Sequence, residues 1–389
     1  MRKTFLILFL ISSCYLSAQQ DSIHQNTTFN YGNKGWELKH GDNFLMNLQW
    51  RLQFRGVVNS EDPSFFIKEE DTQSGSFNVQ RARLKVGGYA YSSNINYYLE
   101  YDFPSNNLLN FEFTFSKYKA IQFKLGQWKI NYNTERFISS GKQQFVDRSI
   151  SNRYFTFDRQ VGIMLQGNIF DKKVASSNYY IGVFNGSGIG TQNENNHYLL
   201  MGRYQWNFSK KTTKMFFSDL DKMNKVEGFI AVSAVQNTSA YTSFSSSGGG
   251  QLPGYANDSS GQFDVQQLGM ELFFKYKGFS FMSENHIKKV NDLSHHKKSE
   301  LYGGYLMVGF FFNQLITFVP PKLELIARVA KVKNASLFNN EIYEYSTGVN
   351  WFFHAHRNKL SADFSLLKNM DFVQSDDIYR IRLQWDVSF

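Results

Sequence analysis

The last thirteen residues, Asp377 to Phe389, constrain the fold more than any other stretch; they read DIYRIRLQWDVSF. From Tyr379 every odd position is apolar or aromatic (Tyr379, Ile381, Leu383, Trp385, Val387, Phe389), and the even positions are Arg380, Arg382, Gln384, Asp386 and Ser388. A strict period of two puts these two sets on opposite faces of one β-strand. A soluble sandwich has a use for such a strand. A chain that stops on Phe389 after such a run fits better as the closing strand of an antiparallel transmembrane β-barrel, whose apolar face meets lipid and whose polar face meets a watery lumen. In that setting Trp385 and Phe389 form the C-terminal signal for the barrel-assembly machinery.

The same alternation recurs upstream. From Phe44 to Phe54, apolar Phe44, Met46, Leu48, Trp50, Leu52 and Phe54 interleave with Asn47, Gln49, Arg51, Gln53 and Arg55. Sixteen segments of this kind are expected: 44–57, 77–91, 95–103, 108–118, 120–130, 160–169, 178–185, 197–208, 226–236, 264–276, 279–289, 300–312, 322–331, 342–353, 358–368 and 377–389. The least regular is 279–289, where alternation fades after Phe281. An even number is what a single-chain bacterial barrel needs to keep both ends in the periplasm. Composition agrees. The chain is 17% aromatic, with 39 Phe and 22 Tyr, yet its mean hydropathy is −0.41. Beyond the N-terminus no stretch approaches the roughly 20 apolar residues of a membrane helix. Only 5 Pro occur, as paired strands require.

The connections form a second pattern. Val58–Ser76, Pro104–Asn107, Asn131–Arg159, Gly186–Asn196 and Asn237–Phe263 are long or polar, whereas Ser92–Asn94, Lys119, Asp171–Ser177, Lys277-Gly278 and His354–Arg357 are tight. Long outer loops alternating with short periplasmic turns are expected of an outer-membrane barrel. Ser209–Lys225 breaks the rule. Residues 1–18 read as a signal peptide: Arg2 and Lys3, then an apolar core from Phe5 to Ile11, then small Ser17-Ala18. The expected division is therefore a signal peptide at 1–18, a periplasmic arm at 19–42 and the barrel at 43–389. The single cysteine, Cys14, lies in a lipoprotein-like Ile11-Ser12-Ser13-Cys14; if 1–18 is removed, the mature chain has no thiol. The net charge of +9 falls to 9 − 2 = +7 without Arg2 and Lys3. Export argues against nucleic acid as the partner of this charge and leaves anionic solutes or surfaces.

Between Arg81 and Phe208 a series of short pieces resembles the bacterial family of phosphate-selective porins O and P. They are Arg81-Ala82-Arg83-Leu84, Tyr98-Leu99-Glu100-Tyr101-Asp102-Phe103, Leu125-Gly126-Gln127-Trp128-Lys129, Glu135-Arg136-Phe137-Ile138-Ser139-Ser140, Asp147-Arg148-Ser149, Arg159-Gln160-Val161-Gly162-Ile163-Met164-Leu165 and Gly182-Val183-Phe184-Asn185-Gly186-Ser187-Gly188, with a later Thr347-Gly348-Val349-Asn350-Trp351. The resemblance implies a sixteen-stranded outer-membrane porin, trimeric, with its third outer loop folded into the pore. The third outer connection here, Asn131–Arg159, is the longest at 29 residues. It departs from the family in having Asn131-Tyr132-Asn133 where a Pro is common. The resemblance does not carry the family's phosphate-binding arginines onto particular residues.

A passive pore needs a constriction and a field rather than a catalytic group or cofactor. With the apolar face outward, eleven basic residues face the lumen: Arg51, Arg55, Arg81, Arg83, Lys85, Lys124, Arg203, Lys275, Arg328, Arg380 and Arg382. Eight acids oppose them (Glu100, Asp102, Glu112, Glu271, Glu324, Glu344, Asp363 and Asp386), so the balance is 11 − 8 = +3. The constriction segment adds Arg136, Lys142, Arg148, Arg153 and Arg159 against Glu135, Asp147 and Asp158, or 5 − 3 = +2. This excess supports a mild anion preference. Arg81, Arg83 and Lys85 have two roles open: a field for anions, or bracing of the wall against Glu100 and Asp102. Arg136 and Arg148 either line the constriction or pin the loop through Glu135 and Asp147.

Other motifs carry little. His354-Ala355-His356 lacks the further ligands of a metal site. Gly186-Ser187-Gly188-Ile189-Gly190 lacks the lysine and helix of a phosphate loop. No Gly-x-Ser-x-Gly or His-Glu-x-x-His motif supports a barrel hydrolase. A closed barrel acting as an adhesin or structural protein is the alternative to a porin for small polar or anionic solutes.

Overall fold

A computed structural model of the chain describes residues 26–32, 34–59, 75–169, 176–208, 216–334, 340–370 and 375–389. The segment expected to be a signal peptide, Cys14 and most of the first outer connection lie outside the described residues. The chain opens with a hairpin, β1 (Thr27–Gly32) and β2 (Gly35–His40). The wall then runs through β3 (Phe44–Asn59), β4 (Ser76–Ala90), β5 (Ser92–Asp102), β6 (Asn107–Tyr118), β7 (Ile121–Lys129), β8 (Arg159–Ile169), β9 (Ser176–Phe184), β10 (Leu199–Asn207) and β11 (Glu227–Ser239). A small hairpin follows, β12 (Ser243–Ser245) and β13 (Gly248–Gly250). The wall resumes with β14 (Phe263–Tyr276), β15 (Phe279–Asp292), β16 (Lys297–Phe310), β17 (Leu323–Asn334), β18 (Asn340–His354), β19 (Asn358–Met370) and β20 (Ser375–Ser388). Two short helices, α1 (Thr134–Phe137) and α2 (Ile150–Phe155), lie between β7 and β8.

Each of the sixteen segments expected from the sequence is a wall strand. Neighbours pair antiparallel, and β20 returns to β3 with Trp385 opposite Phe54 and Gln384 opposite Arg55, which closes a sixteen-stranded barrel. Closure satisfies the backbone groups of both edges, the condition for a sheet to cross lipid. The faces follow the alternation. On β20, Tyr379, Ile381, Leu383 and Trp385 are exposed while Arg380, Arg382, Gln384 and Asp386 are buried. Leu383 is 50% exposed and Ile163 on β8 63%. Such a surface is what a membrane barrel presents to lipid.

The arm expected at 19–42 contains structure the sequence reading missed. β20 runs out at Ser388, and Trp50 and Phe389 exchange two backbone hydrogen bonds of 2.7 and 3.0 Å. Below that point β2 takes over the edge of β3, pairing Trp36 with Leu48 and His40 with Phe44. Gly35, at φ +84°, lies close against β3: a Cβ there would stand 2.2 Å from the Leu48 carbonyl oxygen. The hairpin thus covers the strand edge that barrel closure leaves open.

The interior is divided. Inward residues of β3–β6 are polar or charged, among them Arg51, Gln53, Arg55, Arg83, Glu100, Asp102 and Asn110. From β10 to β17 many are apolar, including Met201, Phe229, Val265, Met282, Met307 and Ile326. Ile138, Phe145, Ile150, Phe155 and Phe157, all between β7 and β8, join the same apolar cluster.

Candidate functional site

Alternation on β20, β3 and β4 stacks basic side chains on one stretch of inner wall. Cross-strand register sets Arg51 opposite Arg83 and Gln53 opposite Arg81. Their partners differ. Arg51 donates to Asp386 (2.9 Å) and to the Ser140 hydroxyl (3.0 Å). Arg55 donates to Asp147 (3.0 Å) and Gln384 (2.9 Å). Arg382 donates to Asp363 (2.8 Å) and Asp147 (2.9 Å). Arg83 reaches both Glu100 and Asp102 at 3.0 Å. Arg83 therefore braces the wall, the second of its two expected roles. Arg81 donates to the neutral side-chain carbonyl of Gln53 (2.8 Å), and Lys85 stays 4.0 Å from Glu100. Of the consecutive triad, Arg81 and Lys85 carry the least neutralised charge. Lys124 is paired with Glu112 (2.8 Å), and Arg203 with Glu271. Arg380 lies beside Arg382 and near Asp147 and Glu344.

The segment between β7 and β8 bonds to inward-facing side chains on many strands. Arg203 on β10 donates to the Tyr132 carbonyl (3.0 Å), and Glu271 on β14 accepts the Thr134 N–H (3.2 Å). Glu284 on β15 accepts the Glu135 N–H (2.6 Å), and Glu344 on β18 the Ile150 N–H (2.7 Å). Asp363 on β19 accepts the Val146 N–H (3.0 Å). Arg328 on β17 holds Glu344 (2.5 Å) and donates to the Asp147 carbonyl (3.0 Å). Carboxylates of the wall thus cap N–H groups that have no strand partner, as buried backbone donors require.

The pinning partners differ from those expected. Arg136 pairs with Asp158, not Glu135. Arg148 donates to the carbonyls of Glu135 (2.8 Å) and Ile138 (2.9 Å), holding the turn together from within. Asp147 does tie the segment to the wall, but through Arg55 and Arg382. Burial alone would raise the Asp147 pKa; Arg55 and Arg382 outweigh it and hold the carboxyl well below its usual range. Glu135 accepts from the Ser149 N–H and hydroxyl (both 2.8 Å) and lies 3.6 Å from Arg328. Burial pushes its pKa up to about 7, opposed by Arg328 and reinforced by Glu284. Burial and then Arg136 and Arg81 push the Arg148 pKa down, and burial and then Arg380 lower that of Arg153. Burial and then Arg51 lower that of Lys142. Arg159, at the start of β8, donates to Asn110 (2.9 Å) and lies 3.8 Å from Glu100.

Several contacts come from residues outside the expected set. Lys359 donates to the Gln143 carbonyl (2.6 Å) and Lys288 to the Tyr154 carbonyl (3.0 Å), and Glu284 and His286 face inward on the same strand as Lys288. Glu284, His286 and Lys288 belong to the irregular segment 279–289. Buried Ser283 and exposed Asn285 are polar on the face of Ile287, and inward Met282 is apolar, which blurred the pattern. Three titratable groups at every second position were the available signal. Lys275, expected in the lumenal field, donates instead to the Phe216 carbonyl (3.1 Å).

Two cavities flank the basic wall. One of about 250 Å³ is lined by Arg81, Arg83, Asp102, Ser105 and the Ser246-Ser247 turn of the β12–β13 hairpin. The other, about 730 Å³, is lined by Arg51, Lys85, Tyr98, Ser139, Lys142 and His356. Among the described residues no three His, Cys, Asp or Glu side chains gather as a metal site would need.

A closed sixteen-stranded barrel with a lipid-compatible outside and charged groups on its inner wall defines an outer-membrane β-barrel protein. The chain belongs to the phosphate-selective porin O and P family, whose model matches residues 21–386. No curated protein matches the sequence. Similar solved structures include OmpT, an outer membrane protein of Vibrio cholerae (TM-score 0.59, 8% identity, 89% of this chain and 97% of that one). An anion-selective porin from Comamonas acidovorans is similar too (0.56, 10%, 88% and 99%), as is the outer membrane channel DcaP of Acinetobacter baumannii (0.54, 12%, 88% and 97%). At these identities the likeness is one of fold.

Proposed function

We propose that this porin passes small hydrophilic solutes by diffusion and prefers anions, with the segment 131–158 as its constriction. The carrying observation is the basic wall between the two cavities, where Arg51, Arg81, Lys85 and Lys142 line one cavity or the other. Charge of one sign in a confined aqueous path raises the local concentration of the opposite ion. The polar half of the interior is the path; the apolar half seats the constriction segment. Phosphate is the anion the family's description suggests, and its one or two negative charges near neutral pH suit a wall where arginines outnumber their partners. A cleavable signal at 1–18, recognition of Trp385 and Phe389 by the assembly machinery, and a homotrimer complete the reading.

Single-channel recording of the refolded protein under a salt gradient tests it. Stepwise conductance with a reversal potential on the chloride side is expected, with added phosphate reducing the chloride current. The filled apolar half favours a second reading, a closed barrel acting in adhesion or structure. Absence of any step from a correctly folded barrel would establish that reading instead.

A further inference from the structure

The connection between β10 and β11 breaks the alternation of long and short connections, and it lies at the rim where the barrel chain enters and leaves. Its described part, 216–226, turns back against inward-facing side chains. Phe217 is fully buried on Phe273, with ring centroids 5.9 Å apart. Lys275 Nζ lies 4.2 Å from the Phe216 ring centroid and donates to its carbonyl. Asp219 accepts the Gly278 N–H (2.7 Å), which fixes the segment on the β14–β15 turn. The Ser218 hydroxyl donates to Glu324 Oε2 (2.9 Å). Glu324 stands on β17, fully buried, and its other oxygen accepts from Gln144 Nε2 (2.7 Å). Gln144 belongs to the segment anchored at the opposite rim. One carboxylate therefore holds chain from both ends of the barrel. The Phe216 ring also lies 6.0 Å from Lys142 Nζ and 5.2 Å from the His356 ring centroid.

We propose that residues 216–219 form an inner stop for the constriction: through Glu324 and Phe216 they brace the tip 139–145 from the periplasmic side, so both rims set the pore's width. This rests on the reading of 131–158 as a constriction. The physical reason is the shared acceptor. Glu324 is desolvated and satisfied by Ser218, Gln144 and Asn350 (2.9 Å). Without the Ser218 hydroxyl Oε2 keeps only Asn350 as a donor in a site with no accessible surface, so the carboxylate is less firmly fixed and its hold on Gln144 weakens.

The test uses the full-length barrel refolded in detergent, with native folding checked by heat-dependent gel mobility. Hydrogen exchange across 138–146 is compared in wild type, Ser218→Ala, Gln144→Ala and the double variant, and the same proteins are recorded in planar bilayers. Ser218→Ala is expected to speed exchange at the tip about tenfold, the scale of one lost hydrogen bond to a charged acceptor. It is also expected to add brief closures to the current. The double variant should exceed Gln144→Ala by much less than that factor, because both act through Glu324. Unchanged exchange at the tip in Ser218→Ala would overturn the stop. Faster exchange in a barrel that conducts no current, wild type included, would keep the stop and remove the porin reading.

Discussion

At the scale of single residues, Arg81 and Arg83 separate field from brace. They share a face of β4, yet Arg83 holds two carboxylates while Arg81 donates to a neutral amide. Arg81→Gln is expected to move the reversal potential toward zero with little loss of stability. Arg83→Gln leaves Glu100 and Asp102 facing each other's charge, so it should cost about 3 kcal/mol and push selectivity toward cations. Reversal potentials and thermal unfolding of the two variants check both halves. Glu135 gives a pH dependence. Its pKa is raised from 4.5 to about 7, so the folded chain keeps a proton that the unfolded chain has released. Its effect is therefore greatest stability at low pH, lost as pH rises from 4.5 through 7, on the order of 3 kcal/mol in all. Glu135→Gln should flatten this part of the profile, and thermal unfolding between pH 5 and 8 would show it.

At the scale of elements, the β1–β2 hairpin and the 131–158 segment illustrate opposite outcomes. The hairpin completes a strand edge and is not needed for closure, since β20 already meets β3. Removing residues 26–41 should leave a closed barrel whose stability falls by roughly 1 kcal/mol for each ladder bond lost. A barrel that no longer assembles would show that the hairpin guides closure. The 131–158 segment was legible as the longest connection, and its acids and arginines were legible as anchors. Which arginine took which acid was not. Asp147 chose Arg55 and Arg382, which are 92 and 235 residues away in sequence. Local spacing carries no information about a partner across a barrel. The hairpin went unread because β1 is exposed throughout and β2 is half-buried along its middle, so no alternation marks its faces.

At the scale of the whole molecule, the interior is two-sided. Neutralising a charge on the β3–β5 side should shift the reversal potential, and less so at high salt, where screening shortens the field. Neutralising Lys288, buried against the Tyr154 and Thr242 carbonyls, should lower stability and leave selectivity almost unchanged. Recordings of Lys288→Met beside Lys85→Met test the asymmetry. Equal shifts from both would show that the path is central.

The sequence by itself determined the barrel. A period of two is a local property, and sixteen repetitions with a closing aromatic strand leave few folds that satisfy both faces of every strand. It also determined most of the charges that point inward, because orientation follows from position along a strand; Glu284, Lys288 and Lys359 escaped it. The tertiary structure alone decided which inward charges are spent on each other. That depends on register, on the register shift between Gln53 and Phe54, and on where a 29-residue connection comes to rest. It alone decided, too, that the β10–β17 side of the interior mixes apolar packing with charged anchors. On β10 to β17 both faces carry apolar residues, and only closure of the wall tells the lipid side from the packed side.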